Sequence, residues 1–152
     1  MRFKRGYLEI SNICNLNCAF CPGTKRQKRA MSEDDMHILL PKLRPYTEYL
    51  YFHLMGEPLC HPDLAEFLTI AGNHGFRVIL TTNGTLLPKM HWLLNAPALH
   101  KVNISLHAFE ANDLPMPFEE YLENCFKFGK QAEGKLIVSY RLWNNGGADE
   151  KN

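Results

Sequence analysis

The 152-residue chain is 45% hydrophobic and 22% charged with a net charge of +1, the composition of one ordinary globular domain. Its single basic run, Lys25 to Arg29, is too short to suggest nucleic acid or an acidic membrane surface. No apolar stretch approaches the ~20 residues of a membrane span, and Met1-Arg2-Phe3-Lys4-Arg5 leads into no signal-type apolar region, so a cytoplasmic, reducing compartment is expected.

Along the chain, strand and helix patterns alternate. Tyr7 to Ile10 is a predicted strand that enters a cysteine loop. Ser32 is the expected N-cap of a first helix, with Asp35 completing a capping box and Met36, Leu39, Leu40 and Leu43 at helical spacing. Pro41 should end or kink that helix, because proline lacks the amide donor and clashes with the preceding turn. A second strand is expected over Tyr49 to Met55, then a helix from Pro62 that stops near Gly75. A third strand covers Phe76 to Thr82, a short helix Pro88 to Leu94, and a fourth strand Lys101 to His107. A longer helix from Pro117 to about Glu133 precedes the fifth strand, Lys135 to Leu142.

Strands joined by helical crossovers imply parallel pairing. Right-handed crossovers would curl five of them into an open sheet or part of a barrel. The expected organisation is one domain over residues 1–143, with a polar, disordered tail over residues 144–152. In folds of this kind the site lies beyond the C-terminal strand ends. The sequence places its chemistry-bearing motifs there.

The most informative stretch is Cys14-Asn15-Leu16-Asn17-Cys18-Ala19-Phe20-Cys21. Five cysteines in a reducing compartment, three of them this close, favour a metal site over disulfides. Three thiolates can hold three corners of an iron–sulfur cube or three positions around zinc. A closed zinc site needs a fourth ligand, for which Cys60, His61 and His53 are the available candidates. Cys125 falls on the apolar side of a helix and reads as a core residue.

At this loop the chain resembles the radical S-adenosylmethionine superfamily, whose hallmark is CxxxCxxC after the first barrel strand. Phe20 before the last cysteine agrees with that pattern. Met55-Gly56-Glu57-Pro58 resembles the family's GGEP element with Met55 in place of one glycine, and Thr82-Asn83-Gly84-Thr85 is similar to a frequent family sequence. The resemblance implies an α/β partial (βα) barrel, with about five of the usual six strands present. It implies a [4Fe–4S] cluster on Cys14, Cys18 and Cys21, and catalysis through that cluster. The expected activity is reductive cleavage of S-adenosylmethionine to a 5′-deoxyadenosyl radical that abstracts hydrogen.

The resemblance also assigns cofactor-binding roles. Phe20 would lie near the adenine, and Gly56, Glu57 and Pro58 would form the strand-end element, with Glu57 receiving the methionine ammonium. Strand parity puts Asn103, Ser105 and His107 opposite Val102, Ile104 and Leu106 on strand four, and Ser139 and Arg141 opposite Leu136, Val138 and Leu142 on strand five. The resemblance implies that such a serine meets the ribose or carboxylate and such an arginine pairs the carboxylate, which adds Ser105 and Arg141. Asn83 is a further candidate. By the same parity Glu9 points inward under the cysteine loop. A surface ion pair is the competing reading of Arg141, and for His107 a satisfied polar contact is preferred to substrate chemistry.

The implied partners are S-adenosylmethionine, an electron donor such as flavodoxin or ferredoxin, and a peptide or protein substrate, by similarity to members with auxiliary clusters. The chain looks truncated, lacking a sixth strand and any auxiliary-cluster region, and a partner or second copy would then cover the fifth strand's open edge. The alternatives are a catalytically incomplete cluster- or zinc-binding module and an activase of a glycyl-radical enzyme.

Overall fold

The computed structural model describes residues 2–142. Five parallel strands form one sheet in the order β1-β2-β3-β4-β5: β1 (Gly6–Tyr7), β2 (Tyr49–Phe52), β3 (Arg77–Thr82), β4 (Leu99–Ser105) and β5 (Ile137–Arg141). Three helices intervene, α1 (Glu33–Leu43), α2 (Leu64–Asn73) and α3 (Phe118–Gln131). This is the expected partial barrel. The anticipated tail, Asn144 to Asn152, lies outside the described residues.

The alternation of side chains along each strand separates two chemistries. Leu50 and Phe52 of β2, Val78 and Leu80 of β3, and Val102 and Ile104 of β4 are buried with Met36 and Leu40 of α1, Phe67 and Leu68 of α2, and Tyr121 and Cys125 of α3. Each large apolar side chain fully buried in this layer contributes roughly 1.5–3 kcal/mol. On the other face, register aligns Thr81 with Asn103 and Asn103 with Ser139, and Ser105 with Arg141. Asn103 Nδ2 donates to Thr81 Oγ1 at 3.3 Å. The polar face is thus a set of neighbours near the strand ends, as the parity of β4 and β5 implies.

Local signals set most element boundaries. The Ser32 hydroxyl accepts from Asp35 N at 3.2 Å while Asp35 Oδ2 accepts from Ser32 N at 3.0 Å, the reciprocal capping expected of those residues. Helix α1 runs two residues past Pro41, and Arg44 N donates to Leu40 O at 2.9 Å. The proline falls in the last turn, where the missing donor costs one bond at the helix end.

Element boundaries need correction, among them that of β2, which ends at Phe52 rather than Met55. The segment from Pro88 to Leu94 is not one helix but two 3-10 segments, Leu87–Lys89 and His91–Asn95. Pro88 suits the tight first segment, and the second runs only as far as Asn95. Strand β1 pairs with β2 over Gly6 and Tyr7 rather than from Tyr7 to Ile10, with Leu8 N adding a bond to Tyr51 O at 2.9 Å. Strand β4 stops at Ser105, and Leu106–Ala108 form a 3-10 turn, so His107 leaves the strand.

Candidate active site

A cavity of about 390 Å³ opens at the C-terminal ends of the strands. It is lined by Cys14, Cys18 and Cys21, by Phe20, by Gly56 and Glu57, and by Asn83, Ser105 and Arg141. Segments up to 127 residues apart in sequence, Cys14 to Arg141, therefore meet in one space. Pro58, the remaining candidate, does not line it. It is buried at the first position of a 3-10 turn, Pro58–Cys60, where its fixed φ favours the turn.

The cysteine loop is held from beneath by the end of β2. Gly56 adopts φ +81°, and a Cβ there would meet Ser11 O at 2.5 Å and Ile13 O at 2.8 Å. Only glycine allows both the left-handed backbone and that approach. Glu57 N then donates to Ile13 O at 2.8 Å. Glu9 does turn under the loop: its Oε1 pairs with Arg26 Nη2 at 2.6 Å and its Oε2 accepts from Met55 N at 3.2 Å.

The Glu57 carboxylate joins two strand ends. Oε1 accepts from Leu59 N at 3.0 Å and Oε2 from Asn83 N at 2.7 Å. The side chain is 2% exposed. Burial pushes its pKa up to about 7, against the hydrogen bonds from Asn83, Leu59 and Thr82, which favour the ionised form. A carboxylate has about four acceptor positions, so these three bonds leave room for one more donor from the cavity.

Asn83 is spent on the loop. Its Nδ2 donates to Asn15 Oδ1 at 2.9 Å, and its Oδ1 accepts from Thr85 N at 3.0 Å and Thr85 Oγ1 at 2.7 Å. Asn15 Nδ2 returns to Thr85 Oγ1 at 2.9 Å, closing the network. On the far side, Tyr121 from α3 donates to Asn83 O at 2.8 Å. Phe20 packs on His107 with ring centroids 5.0 Å apart. Ser105 ends β4, and Arg141 ends β5 without an ion pair to any described residue. Its charge and, foremost, burial lower the pKa of His53 across the cavity.

All five cysteines are free thiols. Burial, its largest influence, raises the pKa of Cys14, and an amide donor from Leu16 (N–Sγ 3.4 Å) opposes it. Among the described residues no three His, Cys, Asp or Glu converge as ligands of a single metal ion. Cysteines that each take a different corner of a cube need no such convergence. Their placement on one open loop, with N–H donors turned towards two of the sulfurs, suits thiolate ligands of a cluster.

Sequence reasoning missed Asn112. It lies between Ala108 and α3 in a stretch with no periodic pattern, yet its Nδ2 reaches Cys18 Sγ at 3.1 Å. Ala19 N also donates to Ala111 O at 3.2 Å. Nothing in the local sequence marks this stretch as the outer wall of a loop some 90 residues earlier.

The Radical SAM superfamily model matches residues 8–131, which hold the cysteine loop, the Gly56-Glu57 turn and the ends of β3 and β4. The chain belongs to the radical SAM superfamily. A probable GTP 3′,8-cyclase of Thermoplasma volcanium is 29% identical over 110 residues, 68% of this chain and 32% of that protein. The chain spans about one third of the length of the curated relatives it matches. Among solved structures, BtrN in complex with AdoMet and 2-DOIA superimposes with a TM-score of 0.71 at 21% identity, over 93% of this chain and 58% of BtrN. Streptococcus suis SuiB bound to precursor peptide SuiA gives 0.69 at 17% identity, over 95% of this chain and 34% of SuiB. These likenesses establish the radical SAM partial-barrel fold. The cofactors that go with the family are a [4Fe–4S] cluster and S-adenosylmethionine. No helix among the described residues is long and apolar enough to cross a membrane.

Proposed function

We propose that this chain is the cofactor-binding core of a radical SAM enzyme, with Cys14, Cys18 and Cys21 as the cluster ligands. One observation carries the reading: in a member of this superfamily, the three cysteines, the Gly56-Glu57 turn and the ends of β4 and β5 face one cavity. Cys14, Cys18 and Cys21 would hold a [4Fe–4S] cluster there, which would supply the one-electron reduction that cleaves S-adenosylmethionine to methionine and a hydrogen-abstracting 5′-deoxyadenosyl radical.

The residues of the chain bind and orient. Glu57, with one acceptor position left, receives the methionine ammonium, and Gly56 and the buried Pro58 fix the turn that presents it. Arg141 pairs the carboxylate, for which its fork of donors is suited. Phe20 lies against the adenine and Ser105 reaches the ribose. Asn83 acts through the loop, because both ends of its carboxamide are already bonded.

The substrate class we propose is a peptide or protein, supported by the likeness to SuiB, a protein solved with a precursor peptide. The electron comes from a small donor protein such as flavodoxin or ferredoxin, in the cytoplasm. The chain functions as one domain over residues 1–143.

Anaerobic reconstitution with iron and sulfide, followed by electron paramagnetic resonance with and without S-adenosylmethionine and assay for 5′-deoxyadenosine, tests the proposal. A cluster signal that changes on adding the cofactor, with 5′-deoxyadenosine formed, is expected. One tightly held zinc and no cluster overturns it.

A further inference from the structure

Asn112 is wired on every side. Its Nδ2 donates to Ala108 O at 2.7 Å and to Cys18 Sγ at 3.1 Å, while its Oδ1 accepts from Asn17 N at 3.1 Å. These partners fix the orientation of the carboxamide. Ala108 O can only accept and Asn17 N can only donate, so exchanging the amide oxygen and nitrogen would lose both bonds. The group facing Cys18 is therefore a donor. It comes from outside the cysteine loop, 94 residues along the chain.

We infer that Asn112 is a positioning residue for the cluster, whose carboxamide N–H sets the reduction potential by donating to the ligand sulfur of Cys18. This rests on the assignment of Cys18 as a ligand. The physical reason is charge. Reduction adds one electron and no atoms to the cluster, and part of the added negative charge falls on the thiolate sulfurs. A donor aimed at one sulfur stabilises the reduced form more than the oxidised form and raises the potential, the outer-shell lever known for such centres. Charge-assisted bonds are about twice as strong as neutral ones, so the differential is measurable.

The second role of Asn112, holding Asn17 N, must be separated from the first. Asn112→Asp keeps an acceptor for Asn17 N but turns an oxygen towards Cys18, whereas Asn112→Ala loses both contacts. At equal iron content, mediated redox titration followed by electron paramagnetic resonance should place the wild-type midpoint highest, Asn112→Ala lower and Asn112→Asp lowest. The expected change is about tenfold in the reduced-to-oxidised ratio for Asn112→Ala, or ~59 mV for one electron. Identical midpoints in all three overturn the inference and leave Asn112 a loop clamp only.

Cys18→Ala is reconstituted alongside. Full iron in that variant removes Cys18 from the ligand set and with it the underlying assignment, whereas lost iron there with unmoved midpoints rejects Asn112 alone. If neither Asn112 variant holds a full cluster, wild-type protein carrying asparagine labelled with ¹⁵N in the side-chain amide decides. Asn112 supplies the asparagine carboxamide that donates to a cysteine sulfur among the described residues, so pulsed resonance should show a ¹⁵N coupling to the cluster. Its absence overturns the inference.

Discussion

The two walls of the cavity are built differently. The wall made by the cysteine loop and the ends of β2 and β3 is anchored by two buried and hydrogen-bonded polar side chains, Glu57 and Asn83. The wall made by the ends of β4 and β5 offers Ser105, half-buried, and Arg141, exposed, and few side-chain bonds hold them. Burial explains the contrast. A polar group removed from water must find protein partners, and once it has them its geometry is fixed. A group left in solvent is free to wait for a ligand. Substitutions of the buried polar groups on the first wall should therefore cost stability whatever they do to binding, and those on the second should cost binding alone.

Gly56→Ala is the most severe test of that division. It places a Cβ 2.5 Å from Ser11 O at a φ of +81°, and strain plus overpacking should cost about 3 kcal/mol or more. Thermal denaturation should show a large loss of stability and reconstitution a loss of iron. A variant as stable as wild type would mean that the loop is not seated on β2.

Glu57→Gln comes next. One of the two backbone donors must then face an amide NH₂, at a cost of about 1–3 kcal/mol for the unpaired group. The pH dependence has a definite sign. The folded-state pKa is raised to about 7 from an ordinary 4.5, so the folded protein holds the proton where the unfolded chain has released it. Stability from this group is full below about pH 4.5 and declines as pH rises to about 7. The cofactor-free protein should show that decline in denaturant melts, and Glu57→Gln should lack it.

Asn83→Ala removes the carboxamide that bonds both Asn15 and Thr85, leaving their direct bond to each other, and should destabilise by about 1–2 kcal/mol, with the protein folded but its cysteine loop more open to proteolysis. Arg141→Ala should have the smallest effect on stability, within about 0.5 kcal/mol. Calorimetric titration of the reconstituted protein should nevertheless show weaker S-adenosylmethionine binding. Unaltered affinity there would remove Arg141 from the site, and a large drop in stability would erase the contrast between the walls.

What could be read in advance followed the range of the signal. The strand–helix order, the Ser32 and Asp35 cap and the inward parity of Ser105 and Arg141 depend on neighbours a few residues away or on a period of two. The three cysteines are equally local, since their spacing is a property of one loop. Pairings that needed the folded chain were another matter. Tyr121 under Asn83, Asn15 against Thr85 and Asn112 against Cys18 each join residues 38 to 94 positions apart, and no periodicity encodes them.

The sequence by itself determined the class of fold and the motif that places the chain in its superfamily, because backbone preferences, side-chain alternation and ligand spacing act over short stretches. Only the tertiary structure decided that Glu57 is buried between two strand ends with its pKa raised, that Gly56 lies against the backbone of the cysteine loop, and that a carboxamide from beyond β4 donates to Cys18. Those facts arise from desolvation and from hydrogen bonds between distant segments, which exist once the sheet has brought the ends of its strands together.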